Sequence, residues 1–299
     1  MEKQLNDYQQ KPVIIIDVWS HNLKYEFSRI GMAAPFFPFV SIDTEFPGVV
    51  IQPRIDGSKT GSSSRSSRSS INYKTLKANV DSLHFIQLGI TLTDFNGNFP
   101  DFGGSCRIIW QFNFKEFDVS DRHAPDSIAL LRQQGINFEK NRKEGVDSIS
   151  FRKLLFSSSL IFYNTIRFYT YDFAYLLKII TGQPLPNDIA GFYNLMRLYF
   201  GRRIYDVKEM IKFCDGVFGG LERVASIYEL KRIAGNAHCA GSDSLLTWDV
   251  FHKIFVNSKG VVKGGGCHSC ILVTGFSTGL AFLGSLIYDL CSIPGFVDI

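Results

Sequence analysis

The apolar residues of this chain change their spacing near Asp126, and this change limits the folds that the chain can adopt. Before it, four runs have the apolar, β-branched character of strands, at residues 13–19, 37–46, 85–93 and 107–114. After it, apolar residues recur at three- and four-residue intervals, which predicts helices at residues 126–134, 150–158, 171–180, 187–200, 206–214, 219–230 and 243–255. Strand-like residues 161–169 and 203–205 interrupt these helices. The pattern predicts an α/β fold with helices on both sides of a mixed central sheet.

Composition excludes several classes of protein. The chain has 299 residues, of which 45% are hydrophobic and 20% charged, so a disordered, collagen-like or disulfide-stapled chain is excluded. The 32 basic and 28 acidic residues leave a net charge of +4, which by itself does not indicate a nucleic-acid partner. Six cysteines in a chain with a polar start predict reduced thiols, as in a cytosolic or nuclear protein.

Two segments differ from the rest of the chain and set its predicted domain boundaries. Residues 57–70 include eight serines and no apolar side chain, which predicts a disordered surface insertion within a domain spanning residues 1–260. Residues 261–299 form an apolar tail whose residues 271–288 just reach the length of a membrane span, but no Lys or Arg follows as an anchor, so a membrane is not expected. A CxxC pair at Cys267 and Cys270 has no second ligand pair for zinc.

Acidic residues interrupt one of the strand-like runs. Asp43 and Glu45 are two residues apart, so both carboxylates project from the same face of the strand. Two like charges so close require compensation, and a divalent cation provides it. Carboxylate oxygens suit Mg²⁺ or Mn²⁺ better than zinc. The alternative is an exposed acidic pair on an edge strand.

Three further residues are candidates for the same site. Asp172 follows a strand-like run and begins an apolar helix, where it either points into a cleft or caps the helix. His238 precedes a run of small residues, and Asp243 begins the next helix. This spacing allows the aspartate to hold a metal while the imidazole reaches a water molecule beside it.

Several short motifs, in order along the chain, identify a family. They are residues 41–48 (SIDTEFPG), 79–81 (NVD), 86–89 (IQLG), 110–114 (WQFNF), 126–128 (DSI), 171–173 (YDF), 204–208 (IYDVK), 219–221 (GGL) and 240–247 (AGSDSLLT). Together they resemble the Caf/Pop-type poly(A) deadenylases, nuclease subunits of the CCR/NOT complex within the DEDD exonuclease superfamily. The resemblance extends over residues 12–255.

The resemblance implies a ribonuclease H-like fold and a 3′-to-5′ exoribonuclease that removes mRNA poly(A) tails and releases 5′-AMP. It implies that Asp43, Glu45, Asp172 and Asp243 bind two divalent cations, Mg²⁺ or Mn²⁺, and that His238 is the catalytic base. The implied partners are poly(A) RNA, a Not-type scaffold and a leucine-rich-repeat deadenylase subunit. The implied location is the nucleus and cytoplasm, including cytoplasmic mRNA-decay foci.

The chain departs from the family pattern near two of these residues. Phe168, Tyr169 and Thr170 stand where the family commonly has His-Ser-Gly, and Cys239 replaces the usual glutamine. These departures keep open a catalytically weak adaptor of the same complex, and a related nuclease acting on DNA is a third hypothesis. Four aromatic residues are candidates for stacking on adenine, at Phe46, Phe85, Phe114 and Phe173.

Overall fold

The structure, a computed structural model, describes residues 11–52, 65–158, 160–162, 167–170, 173–201, 204–211, 214 and 216–262. These residues form six strands and ten helices. The strands are β1 (Val13–Val18), β2 (Phe39–Glu45), β3 (Gln87–Thr93), β4 (Arg107–Asn113), β5 (Arg167–Thr170) and β6 (Ile204–Asp206). The helices are α1 (Leu23–Ala33), α2 (Arg65–Ser82), α3 (Pro125–Gln133), α4 (Phe138–Glu144), α5 (Ser148–Ser157), α6 (Phe173–Thr181), α7 (Ile189–Phe200), α8 (Val207–Ile211), α9 (Leu221–Ile227) and α10 (Ala240–Val262).

The six strands form one mixed sheet in the order β1-β4-β3-β2-β5-β6. Strand β3 is antiparallel to β2 and β4, whereas β1 pairs with β4, β2 with β5 and β5 with β6 in parallel. The carboxyl ends of β1, β2, β4 and β5 therefore lie at the edge of the sheet where β3 begins. The predicted mixed central sheet is confirmed.

Helices cover both faces of the sheet. Side chains alternate between the two faces along each strand, so each face packs against its own set of helices in a separate hydrophobic core. In β4, Ile108 and Trp110 belong to the larger core, which α1, α2, α5, α6 and α7 complete. Their neighbour Ile109 belongs to a second core, which α8, α9 and α10 complete. In β2, Phe39 belongs to the second core, so the odd-numbered residues of this strand face α10. The predicted flanking helices are confirmed.

The structure corrects part of the predicted insertion at residues 57–70. Helix α2 begins at Arg65, so the last six of these residues are helical, while residues 57–64 lie outside the described part of the chain. The helix continues to Tyr73 and Val80, which are buried in the larger core. Because a helix that is nucleated by such contacts extends at little cost, the serine-rich composition does not prevent it.

The start of one predicted strand also differs from the structure. The strand predicted at residues 161–169 is shorter, since Ile161 and Phe162 form a bend and β5 begins at Arg167. Helix α10 ends at Val262, close to the predicted domain boundary. The apolar run at residues 271–288 and the CxxC pair lie outside the described residues. Among the residues that are described, no helix has the length and hydropathy needed to cross a membrane.

Asp249, which lies on α10, makes the stability of the fold depend on pH. Burial raises the pKa of its carboxyl group to about 7, although the charge of Arg107 acts in the opposite direction. Between about pH 4 and 7 the folded chain therefore holds a proton that the unfolded chain releases, so stability falls as pH rises through this window. We expect Asp249→Asn to be more stable than the wild type at pH 8 by on the order of 2 to 4 kcal/mol, and by less than half as much at pH 5.

Thermal denaturation of both proteins at the two pH values measures this difference. Asp126→Asn is the matched control, because Asp126 is exposed at the start of α3. It should change Tm by the same small amount at both pH values. An Asp249→Asn protein that gains no stability relative to the wild type between pH 5 and 8 would contradict the assignment.

Candidate metal centre

Two carboxylates end the central strand β2. Asp43 and Glu45 are each only 9% exposed, and they share the face of the sheet that α10 covers. In the antiparallel pairing of β2 with β3, Asp43 lies opposite Gly89 and Glu45 lies opposite Gln87. Burying two carboxylates so close together is costly unless positive charge or hydrogen-bond donors compensate them.

Helix α10 approaches β3 closely enough to bring a third carboxylate to this pair. Gly89 makes the approach possible, because a Cβ atom at this position would lie 1.8 Å from the carbonyl oxygen of Ala240. The hydroxyl groups of Thr91 and Ser244, 2.8 Å apart, fix the next turn of the helix on the strand. Asp243, in the first turn of α10, is 7% exposed as a result and lies beside Glu45.

In the described part of the chain, Glu45, His238 and Asp243 form a group that could hold a metal ion. One ligand atom from each lies within 4.8 Å of the other two. The backbone of His238 has a positive φ of 56°, a conformation that histidine tolerates better than most residues. Its backbone N–H donates to Oδ2 of Asp243 at 2.9 Å, which places the exposed imidazole next to the buried carboxylates.

Arg232 compensates part of the negative charge. Its guanidinium group lies 2.5 Å from Oδ1 of Asp243, donates to the hydroxyl of Ser242 at 2.5 Å, and also pairs with Glu222 on α9. Burial raises the pKa of Asp243, and Arg232 opposes this rise. The carboxylate oxygens of Glu45 and Asp243 are donors that fit Mg²⁺ or Mn²⁺, and the imidazole of His238 lies close to both.

The structure places the predicted site residues as follows. It brings Glu45, His238 and Asp243 together, and it places Asp43 on the same strand face, outside that three-residue group. Asp172 lies outside the described residues. On either side of it, Thr170 pairs with Ile42 of β2, and Phe173 begins α6.

Cys239, the residue after His238, contacts helix α3. Its thiol donates to the carbonyl oxygen of Gln134 at 3.6 Å. Burial raises the pKa of this thiol, and the charges of Glu45 and Asp243 add to the effect. At the other end of α3, the backbone N–H of Ala124 donates to the carbonyl oxygen of Pro47, just after β2. Helix α3 therefore joins the loops on the two sides of the site.

The aromatic stacking hypothesis is wrong for three of its four residues. Phe85, Phe114 and Phe173 are at most 7% exposed and belong to the larger core, so they offer no free ring face to a base. Phe46 is partly buried and stacks on Tyr175, with ring centroids 4.3 Å apart.

Sequence reasoning missed the residues that hold α10 in place. Arg232 belongs to none of the motifs found in the sequence, and only its position six residues before His238 connects it to the site. Gln87 and Gln111 are buried and accept hydrogen bonds from the first N–H groups of α10, but in the sequence they are only polar residues in a strand. Gly89 in a strand is the one signal that could have indicated a close approach.

Comparisons with known proteins point to one family. The sequence profile of the CAF1 family ribonucleases matches residues 18–153. "Probable CCR4-associated factor 1 homolog 7" of Arabidopsis thaliana is 45% identical over 249 residues, which cover 81% of this chain and 87% of that protein. "Poly(A) ribonuclease pop2" of Schizosaccharomyces pombe is 41% identical over 244 residues, covering 80% of this chain and 69% of that protein.

Two solved structures show the same fold. The Mg²⁺- and Mn²⁺-bound form of S. pombe Pop2p superposes with a TM-score of 0.71 at 41% identity, and the match covers 80% of this chain and 91% of that one. Yeast CAF1, co-crystallised with the NOT1 MIF4G domain, superposes with a TM-score of 0.65 at 30% identity, covering 82% and 89%. The expected ribonuclease H-like fold is confirmed.

Proposed function

The chain belongs to the CAF1 family of ribonucleases, and we propose that it is a 3′-to-5′ exoribonuclease that shortens the poly(A) tails of mRNA and releases 5′-AMP. The observation that carries the proposal is the convergence of Glu45, Asp243 and His238, from opposite ends of the chain, beside the buried Asp43. The names of the plant and S. pombe relatives support the choice of substrate.

In this proposal Asp43, Glu45 and Asp243 hold divalent cations, with Asp172 as the fourth carboxylate. The two bound cations, Mg²⁺ or Mn²⁺, would supply Lewis-acid activation of the scissile phosphate. His238, whose imidazole is exposed beside the carboxylates, takes the proton from the attacking water. Arg232 keeps the carboxylate of Asp243 directed towards Glu45.

We also propose that the chain acts within a CCR/NOT complex, bound to a Not-type scaffold and working beside a leucine-rich-repeat deadenylase subunit. The structure of yeast CAF1 with the NOT1 MIF4G domain supports the first of these partners. Such a complex would act in the nucleus and cytoplasm, including cytoplasmic mRNA-decay foci.

A direct assay tests the proposed reaction. The purified full-length chain is incubated with a 5′-labelled RNA that ends in an A tail, with Mg²⁺ or Mn²⁺ or with excess EDTA. We expect stepwise shortening from the 3′ end with 5′-AMP as the product, and no reaction in EDTA. Matched RNAs with C or U tails are the controls for the base. Oligo(dA) is the control for the sugar, because only RNA offers the 2′-hydroxyl group. Equal rates on oligo(dA) would instead favour a DNA nuclease.

One observation favours a second function, that of a catalytically weak adaptor. Phe168, Tyr169 and Thr170, which replace the family's usual His-Ser-Gly, form most of β5, the strand that pairs with β2 beside the site. An adaptor would bind the Not-type scaffold and show no metal-dependent shortening of the A tail. Scaffold binding together with shortening would exclude it.

A further inference from the structure

A buried row of side-chain amides connects strand β1 to the start of α10. We call Gln87, Gln111 and Asn113 the amide row; all three face α10 and are at most 8% exposed. At one end of the row is Asp17, an exposed residue near the carboxyl end of β1. At the other end are the first two N–H groups of α10. The row therefore links an exposed carboxylate to the helix that carries Asp243.

Two hydrogen-bonded routes leave the same atom, Oδ1 of Asp17. In the first, Nε2 of Gln111 donates to Asp17 at 3.0 Å, and Oε1 of Gln111 accepts from the N–H of Gly241 at 3.0 Å. The single amide group of Gln111 thus connects Asp17 directly to the helix.

The second route uses two amides. Nδ2 of Asn113 donates to Oδ1 of Asp17 at 3.0 Å, and Oδ1 of Asn113 accepts from Nε2 of Gln87 at 2.7 Å. Oε1 of Gln87 then accepts from the N–H of Ala240 at 3.4 Å. In both routes, the NH₂ group of each amide donates in the direction of Asp17, and its oxygen accepts a hydrogen bond from the direction of α10.

The direction of these bonds depends on Asp17. A side-chain amide has a donor end and an acceptor end, whereas an ionised carboxylate only accepts. Asp17 therefore requires the NH₂ groups of Gln111 and Asn113 to point towards it, which leaves their oxygens facing the other way. If either amide of Gln111 or Gln87 were reversed, its NH₂ group would face a backbone N–H of α10, and two donors would meet in a buried place.

We propose that Asp17 is a positioning residue for the metal centre, acting through the amide row on the first turn of α10 and so on the placement of Asp243 relative to Glu45. This inference rests on the proposed function, because it concerns the same site. Asp17 is exposed and touches neither Asp243 nor Glu45 through any hydrogen bond in the described part of the chain, so its effect passes through the row.

Calorimetric titration of the full-length chain with Mn²⁺ tests the proposal without relying on activity. Groups that orient metal ligands from outside the coordination sphere commonly change metal affinity by about 10- to 100-fold. We expect the Kd for Mn²⁺ to rise by about this factor in Asp17→Ala. Asp17→Asn keeps a side-chain oxygen that can accept both bonds, so it should restore the affinity to near that of the wild type.

The matched control is Asp94→Ala. Asp94 also accepts hydrogen bonds, from Asn96 and Asn98 in the turn between β3 and β4, away from the site. Its removal should lower Tm and leave the Kd for Mn²⁺ unchanged, which separates a loss of stability from a loss of positioning.

Hydrogen exchange gives a second readout that is specific to each route. In Asp17→Ala the amide hydrogens of both Ala240 and Gly241 should exchange faster than in the wild type. In Gln111→Leu, which removes only the first route, Gly241 should exchange faster and Ala240 should not. This variant also tests the row if Asp17→Ala does not fold.

The outcomes distinguish this inference from the proposed function. A wild-type chain that binds no Mn²⁺ would overturn the proposed function and this inference with it. A wild-type chain that binds Mn²⁺, with an Asp17→Ala protein of equal affinity and unchanged exchange at α10, would overturn only the role of Asp17.

Discussion

Replacing Asp43 by alanine is expected to slow the shortening of an A-tailed RNA by about 10³-fold or more, since a bound cation contributes several kcal/mol of charge stabilisation. Asp43 is 9% exposed and lies on the strand face that also carries Glu45. Its loss removes one of the carboxylates that would hold the cations in the proposed site. The measurement is the initial rate of tail shortening in Mg²⁺, with Asp43→Asn included to keep the side-chain volume.

Ser41→Ala is the matched control for this experiment. Ser41 is on the same face of β2, two residues before Asp43, and among the described residues its hydroxyl group has no hydrogen-bond partner. Its removal should leave both the rate and Tm close to the wild type. If Asp43→Ala and Ser41→Ala shorten the tail equally fast, Asp43 has no role in catalysis.

Replacing Gly89 by alanine is expected to lower the free energy of unfolding by about 3 kcal/mol and to abolish metal binding. The added Cβ atom would lie 1.8 Å from the oxygen and 2.2 Å from the carbon of the Ala240 carbonyl group. Both are backbone atoms, so no side chain can move aside, and the start of α10 must shift away from β3. Asp243 would move with it, away from Glu45.

The same substitution at Gly31 should have the opposite effect on stability. Gly31 is within α1, and a Cβ atom there would meet nothing within 4 Å. Because alanine favours a helix more than glycine does, Gly31→Ala should stabilise the chain by up to about 1 kcal/mol. Chemical denaturation and Mn²⁺ titration of both variants measure the two effects. A Gly89→Ala chain with wild-type stability and affinity would show that the close approach of α10 is not required.

The parts of the site that sequence could predict are those determined by local spacing. Alternation along a strand places Asp43 and Glu45 on one face, and the structure has them there. The small residues after His238 predict a loop that leads into a helix with Asp243 in its first turn, and α10 begins at Ala240. Both predictions depend only on neighbours within a few residues.

The contacts that position these residues could not be predicted, because they depend on strand pairing over long distances in the chain. Asp17 meets Gln111 only because β1 pairs in parallel with β4, about 90 residues later. Gly89 contacts Ala240 only once α10 lies across β3. A glycine in a strand indicates that some group approaches closely, but it does not indicate which one.

Two helices were missed for different reasons. The serines that begin α2 have a composition typical of disorder, and the contacts that support the helix come from residues later in its sequence. Helix α4 has the sequence FEKNRKE, in which Phe138 is the single apolar residue, so it shows no helical period. Its support is a cap at Asn137, whose side chain accepts from Lys140, and the burial of Phe138 in a small separate cluster.

The distance in sequence between Glu45 and Asp243, nearly 200 residues, has a consequence for biosynthesis. A nascent chain on the ribosome exposes Asp43 and Glu45 long before α10 has been translated. Until that helix emerges and docks on the sheet, the growing polypeptide has only part of the proposed metal site. If the chain is the proposed nuclease, it is therefore synthesised in an inert form, and its activity begins only after α10 has been translated and has docked on the sheet.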